Sequence, residues 1–426
     1  MGLFNLFGGS KDKNNIKNVV KRMPMEKGPF KITCPYCFIR FTTNEVLFRA
    51  SHAEEGDPEY EMKIDKLLNE YREGLDMDVL PELNAIISPM ELPRESRFEV
   101  DGVLLEVKDK YDKVSKERLC PYCHNILPNT SGRGPTKVIS VIGSSQAGKS
   151  VYMTSLLYTL ERYTAERFNA SLTAGSSKYN EEIKQNQRII FEYNKMLDPT
   201  PKQHIDPLIE NLKFKDDSRP AGTFVFYDIP GEGMSDQVYI DKHGAHIKNS
   251  DGIIFLVDPL QMRSIRKKLT ITNKEDKGDF TERYQEPKDI VVNLIENFIM
   301  KQSGERTNIP TAVVVTKSDM LKNLNDEDYI SENSNAFRNC EHKTFFNFNE
   351  FDNIDGEIKR FMSKVNSPFK GVMDTYFSNT AYFAVSALGG NPRNLSMGDG
   401  VVTPIRVDEP FLWLLYQMGY IDGGRE

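Results

Sequence analysis

Cys34-Pro35-Tyr36-Cys37 and Cys120-Pro121-Tyr122-Cys123 repeat one tetrapeptide within the first third of a 426-residue chain. Two chemistries fit a Cys-x-x-Cys pair. A redox dithiol works where a strand ends and a helix begins, because the helix N-terminus lowers the first thiol's pKa. A metal knuckle sits on a hairpin instead, and two knuckles give the four thiolates of a tetrahedral Zn2+ site. The flanks favour the second. Phe30-Lys31-Ile32-Thr33 and Phe38-Ile39-Arg40-Phe41-Thr42-Thr43 alternate as hairpin strands do. After the second pair, His124-Asn125-Ile126-Leu127-Pro128-Asn129 holds Pro and Asn, which oppose a helix. Cys34, Cys37, Cys120 and Cys123 are therefore expected to hold structural zinc, with His124 either a solvated neighbour or a substitute ligand. The 82 residues from 38 to 119 must then be an insertion on the ribbon. Thiolates held by a metal are not free nucleophiles, so any catalysis is sought further along the chain.

The next pattern is Gly143-Ser144-Ser145-Gln146-Ala147-Gly148-Lys149-Ser150. It has the spacing G-x-x-x-x-G-K-[ST], and it lies between a predicted strand and a predicted helix that begins through Val151. Glycines let the backbone wrap phosphate oxygens, and the loop's N–H groups and the helix N-terminus supply positive potential. Lys149 adds a full charge for the β and γ phosphates. Ser150 offers an oxygen to Mg2+, a hard cation that prefers oxygen. Further on, Asp228-Ile229-Pro230-Gly231 ends a predicted strand; Asp228 can hold Mg2+ through water and the Gly231 N–H can meet a γ-phosphate. Thr316-Lys317-Ser318-Asp319 ends a later strand. A carboxylate at Asp319 can accept the paired N1 and N2 donors of guanine, which adenine lacks, while Lys317 lies along the base. Ser386-Ala387-Leu388 follows the last strand and offers a backbone N–H to the guanine O6.

These residues need a scaffold that lines them up at one edge. Apolar runs at Lys137–Ile142, Leu208–Phe214, Thr223–Tyr227, Gly252–Val257, Thr311–Val315 and Ala381–Val385 read as strands. Helical periods stand between them at Met153-Leu156-Leu157-Leu160 and at Ile290-Val291-Leu294-Ile295-Phe298. The alternation predicts an α/β fold: a mostly parallel sheet flanked by helices, preceded by the small ribbon with its acidic insertion. The expected organisation is a basic, flexible tail over 1–30, the ribbon over 31–128, a linker over 129–135 and the nucleotide domain over 136–424. Insertions in that domain are expected near 174–200, 262–286 and 322–375. An amphipathic helix is read around Met62, Ile64, Leu67, Leu68 and Tyr71.

Composition narrows the classes. Apolar residues make up 39% and charged residues 27%, with a net charge of −7, which excludes polyanion binding through bulk charge. Residues 54–112 carry 18 acidic against 7 basic side chains, which also opposes nucleic acid. Five cysteines, four of them in close pairs, suit a reducing compartment and predict a cytoplasmic protein. No apolar run reaches the roughly 20 residues of a membrane span, and the N-terminus lacks a long apolar signal core. An apolar tip at Leu3-Phe4-Asn5-Leu6-Phe7 followed by lysines is the one feature suited to peripheral membrane contact.

With its boxes in this order, the chain resembles the TRAFAC class of P-loop GTPases, the Ras-like and translation-factor proteins, over roughly residues 136–420. Asp228 to Gly231 matches the class's D-x-x-G, and Thr316 to Asp319 its [NT]-K-x-D. The cysteine ribbon, Gly231-Glu232-Gly233 and Val407-Asp408-Glu409-Pro410-Phe411-Leu412-Trp413 look like bacterial double-GTPase domains, which are predicted to act beside a second GTPase in conflict or defence systems. The resemblance implies GTP and GDP as ligands, Mg2+ as cofactor, GTP hydrolysis, and a protein partner that is a second GTPase or another copy. It assigns Lys149, Gly231 and a switch threonine to catalysis. Thr200 is chosen for that threonine and for Mg2+, with Thr173 as competitor. The class places Gln where this chain has Glu232; a carboxylate there can orient water but adds negative charge beside the γ-phosphate, so hydrolysis is expected to be slow without a partner. The competing readings are a GTP-binding scaffold with little turnover, an ATPase sharing the phosphate loop, and a nucleic-acid-binding GTPase.

Overall fold

Short elements build the N-terminal part of the molecule. Lys17–Val20 forms β1, and the hairpin Ile32–Thr33 (β2) with Arg40–Phe41 (β3) carries the first cysteine pair. Leu47–Arg49 (β4) pairs antiparallel with both Ile86–Ile87 (β5) and Glu117–Leu119 (β9). Between them lie the helix Lys66–Gly74 (α1) and a small sheet of Arg97–Val100 (β6), Val103–Lys108 (β7) and Val114–Ser115 (β8). Asp65 caps α1 by accepting from the Leu68 N–H, so Met62 and Ile64 fall outside the helix and are exposed. Leu68 is its buried apolar contact, and the expected stripe is therefore narrower than its sequence period. The computed structural model describes residues 17–20, 28–144, 147–175, 177–198, 207–216, 219, 221–228, 238, 242, 244–272, 286–299, 306–324, 330–340, 342–390 and 401–425.

The larger unit is a seven-stranded sheet. Its strands are Thr136–Gly143 (β10), Ala170–Ala174 (β11), Leu208–Phe214 (β12), Gly222–Asp228 (β13), Gly252–Val257 (β14), Thr311–Val315 (β15) and Thr380–Ala384 (β17), in the order β11-β12-β13-β10-β14-β15-β17. From β13 to β17 the pairings are parallel; β12 runs antiparallel to β13, and β11 antiparallel to β12. Every residue of β14 and β15 is buried, which is why these segments read as unbroken apolar runs rather than alternation. Helices Lys149–Thr159 (α2), Pro287–Leu294 (α5), Phe348–Val365 (α6), Ser367–Tyr376 (α7) and Glu409–Gln417 (α8) contribute Leu156, Ile290, Ile358, Phe369 and Leu414 to one continuous core. The helices Ser177–Gln187 (α3) and Arg263–Thr272 (α4) lie in the predicted insertions. A further three-stranded sheet joins segments far apart in the chain: Gly423–Arg425 (β18) lies between β1 and Phe346–Asn347 (β16).

Residues 129–135, read as a linker, pack closely against both parts. Ser131 is 1% exposed, the Thr130 hydroxyl donates to Asn211 Oδ1 at 2.6 Å, and the Thr223 N–H donates to the Pro135 carbonyl at 3.0 Å. Among the described residues, no helix is long and apolar enough to cross a membrane.

Candidate functional site

The phosphate loop leaves β10 and enters α2. Gly143 is forced by crowding: a Cβ there would stand 2.9 Å from the Leu256 carbonyl oxygen and 3.2 Å from the Ala147 Cβ. Gly148 caps α2 at φ 81°, the left-handed region that glycine enters without a steric penalty. The Lys149 ammonium, on a side chain buried at 8% exposure, donates to the carbonyls of Gly143 at 3.3 Å and Ser144 at 3.2 Å. The loop thus curls around its own lysine, with α2's first N–H groups at its mouth. Ser150 and Val151 begin that helix, half-buried. Asp228 ends β13 in register with Val141 of β10, which brings its backbone beside the loop.

The second half of the site forms where β15 and β17 end. Thr316 N–H donates to the Val257 carbonyl, and Ser318 N–H to the Val385 carbonyl, so the box is laced to both neighbouring strands. Lys317 turns the chain at φ 50° and its ammonium meets Asp258 Oδ2 at 2.7 Å. Asp258 is 1% exposed at the end of β14, and sequence reading did not single it out. The Ser386 hydroxyl accepts from the Gly389 N–H at 2.9 Å and donates to Asp319 Oδ1 at 2.5 Å. A carboxylate has about four acceptor positions, so one bond from Ser386 orients Asp319 and leaves capacity for two further donors. Ser386 also exchanges both backbone hydrogen bonds with Ile405. Beyond it, Leu388 is buried with Val402 and Ile190, against Val151. Ala387 packs against the main core.

Thr316, Lys317, Asp319 and Ser386 therefore converge, and Gly143, Ala147, Gly148, Lys149 and Ser150 form the loop on the same sheet edge. Gln146, Thr200, Gly231 and Glu232 lie outside the described residues, and Asp228 is described through its backbone. Thr173 is exposed on the edge strand β11, opposite Asn211 and three strand positions from β10.

The four cysteine sulfurs all lie within 4.8 Å of one another. Cys34 to Cys123 and Cys37 to Cys120 are both 3.7 Å, close to the ~3.8 Å edge of a tetrahedron with Zn–S bonds of about 2.3 Å. The two knuckles repeat one geometry. Tyr36 and Tyr122 N–H groups point to the sulfurs of Cys34 and Cys120, and Phe38 and His124 close each turn at φ 62° and 53°. The set fits a soft, four-coordinate cation such as Zn2+. His124 is neither ligand nor solvated: its Nδ1 meets Asp65 Oδ1 at 2.7 Å, and its side chain is 12% exposed. Asp65 also binds Arg49 at 2.6 Å, so the helix cap of the insertion is fastened to the second knuckle.

The Double-GTPase 2 family model matches residues 137–365, just over half of the chain. Over 340 residues the chain is 24% identical to the Mycolicibacterium smegmatis protein named "Putative ESX-1 scaffolding and assembly protein SaeC", an alignment covering 71% of this chain and 80% of that one. Two solved structures are similar at low identity. One is the Arl6 BBS3 small GTPase of Trypanosoma brucei with bound nucleotide analogue GppNp, 12% identical, covering 66% of this chain and 96% of that chain at a TM-score of 0.28. The other is the Ski7 GTPase-like domain of S. cerevisiae bound to GTP, 13% identical, covering 68% of this chain and 51% of that chain at a TM-score of 0.32.

Proposed function

This chain is a member of the Double-GTPase 2 family, a guanine-nucleotide-binding fold, and from that premise we propose that it hydrolyses GTP to GDP and phosphate and works as a nucleotide-controlled switch. The observation that carries the reading is Asp319, oriented by Ser386 at 2.5 Å on the sheet edge that also holds the phosphate loop. Asp319 accepts the N1 and N2 donors of guanine, Lys317 is steadied along the base by Asp258, and loop N–H groups with Lys149 hold the phosphates. Ser150, Asp228 and Thr200 are the residues proposed to hold Mg2+, which when bound neutralises charge on the phosphates. Gly231 meets the γ-phosphate and Glu232 orients water. The four cysteines hold Zn2+ and fix the two knuckles of the N-terminal unit.

A second reading is a GTP-loaded scaffold with little turnover. Glu232 in place of glutamine favours it, and so does the name of SaeC, which describes scaffolding and assembly. In either case the partner is a protein, a second GTPase or another copy, in the setting of a bacterial conflict or defence system.

Displacement of a fluorescent guanine nucleotide by GTP, GDP, ATP and XTP tests the base assignment. GTP and GDP are expected to compete and ATP is not. Asp319→Asn is expected to shift preference toward XTP by on the order of a hundredfold or more, because a buried polar group is left unpaired by the wrong base. Equal competition by ATP overturns the assignment. Single-turnover phosphate release, with and without added partner, separates the enzyme from the scaffold.

A further inference from the structure

The first knuckle touches the strand that delivers Asp228. Tyr227, the residue just before Asp228, is 9% exposed and its hydroxyl donates to the carbonyl of Pro35, which lies between Cys34 and Cys37. Its ring packs on Phe38, the residue after Cys37, at 5.4 Å between centroids. The ring also stacks on His246, at 4.6 Å and 14°, in the short helix Ala245–Lys248. Val138, Ile209 and Val225 complete a small apolar cluster around Tyr227 and Phe38, separate from the main core. Downstream of Asp228 the same N-terminal unit makes a second contact: Lys242 pairs with Asp76, just beyond α1, at 2.5 Å. The segment on each side of the D-x-x-G box is thus fastened to the cysteine unit.

We propose that Tyr227 is a positioning residue through which metal loading of the four cysteines sets the placement of Asp228 at the end of β13, and so the retention of bound nucleotide. The physical reason is local. A four-sulfur centre fixes the Cys34–Cys37 turn, and the Pro35 carbonyl is fixed with it. Tyr227 then has a stationary acceptor, and the end of β13 is held from the sheet face it shares with Val138, Ile209 and Val225. Without the metal the turn relaxes, the buried hydroxyl loses its acceptor, and the strand end frays. This inference rests on the guanine-nucleotide reading for its consequence, but the mechanical link stands on the contacts alone.

The experiment uses the full chain. Zinc content, release of a fluorescent GDP analogue, and hydrogen exchange of the segment 222–228 are measured for wild type, Tyr227→Phe and Tyr122→Phe. Tyr122 is the control: it lies inside the second knuckle, where it is the counterpart of Tyr36, and its hydroxyl donates to Glu45. Tyr227→Phe is expected to keep its zinc, to release nucleotide roughly three- to tenfold faster, as the loss of one hydrogen bond gives, and to exchange faster in 222–228. Chelation of wild type is expected to produce the same two changes and to add little to Tyr227→Phe, while Tyr122→Phe matches wild type. Unchanged exchange in zinc-loaded Tyr227→Phe overturns the link, as does chelation acting equally on wild type and variant. Changed exchange with unchanged release overturns the nucleotide consequence. Failure of wild type to bind any guanine nucleotide defeats the functional reading instead, and the exchange data still decide the link.

Discussion

Among the described residues, two largely buried clusters hold metal-type ligands, and they are built to opposite ends. In one, Cys34, Cys37, Cys120 and Cys123 converge; in the other, Cys340, His342 and Glu409 do, each set with ligand atoms within 4.8 Å. The sulfurs of the first receive weak N–H contacts, from Tyr36 at 3.4 Å and Tyr122 at 3.5 Å, and face one another. In the second the ligand positions are already occupied. Arg406 binds both oxygens of Glu409, at 2.7 and 2.6 Å. His342 Nδ1 accepts the Asn347 N–H at 2.9 Å, which places its proton on Nε2, facing Glu409 at 3.2 Å. Burial keeps the Cys340 thiol well above its ordinary pKa. Proximity of ligand atoms is therefore not enough. A metal site needs lone pairs that no proton or cation has claimed, and the second cluster is an Arg406–Glu409 ion pair at the start of α8, tied to the segment ahead of β16 by the His342 hydrogen bond.

Cysteine substitution gives the largest expected effect. Cys34→Ser should reduce bound zinc from one per chain to none and release both knuckles, lowering the melting temperature of the N-terminal unit, whose own apolar core of Phe48, Leu104 and Val107 remains. Cys340→Ser should leave metal content unchanged. Metal analysis with thermal melts reads both, and a loss of zinc in Cys340→Ser breaks the comparison.

Next in size is the ion pair. Arg406→Met leaves Glu409, which is 0% exposed, without its counter-charge and should cost about 3–5 kcal/mol in urea unfolding, with zinc retained. Burial pushes the Glu409 carboxyl up, but the Arg406 charge and the His342 hydrogen bond outweigh it and hold it below the usual range. Its stabilisation is thus present above the unfolded value of about 4.3 and is lost as pH falls through the lower folded value. Wild type should therefore lose stability below about pH 4 more steeply than an Arg406→Met/Glu409→Leu pair, in which the charges are removed together. Equal acid limbs would mean that Glu409 carries no charge in the folded protein.

What was legible in the sequence was whatever is contiguous or strictly spaced. Gly143 to Ser150 does its work within eight residues, and each cysteine knuckle within four, so neighbours alone reveal them. The strands β14 and β15 match their apolar runs because burial on both faces leaves no ambiguity of period. Partners supplied by folding were not legible. Asp258 reaches Lys317 across 59 positions, and Tyr227 reaches Pro35 across 192. His124 was read as solvent-facing or as a ligand because Asp65, 59 residues earlier, gives no local sign of its approach. β11 was missed since Ala-Ser-Leu-Thr-Ala has little strand character by itself, and pairing with β12 supplies it.

The smallest effect concerns a third buried group, one with neither metal nor counter-ion. Glu210, 2% exposed on β12, has an Oε2 without a hydrogen-bond partner among the described residues. Burial, and then the charge of Glu161, push its carboxyl up to about 8. The folded chain then keeps a proton that the unfolded chain releases near pH 4.3, so stability should fall as pH rises from there and level off above about pH 8. The slope is at most roughly 1.4 kcal/mol per pH unit from this group. Glu210→Gln mimics the protonated form and removes that slope, while its amide, buried on the face of Leu208 and Leu212, offsets part of the gain. With an amide cost of about 3 kcal/mol, a net stabilisation of about 1–2 kcal/mol at pH 8 that turns into a net destabilisation of about 2 kcal/mol near pH 5 is the expected result of paired urea titrations. An unchanged slope in Glu210→Gln would mean that the folded protein ionises this carboxyl after all, and that an unmatched ligand group can stay charged in this core.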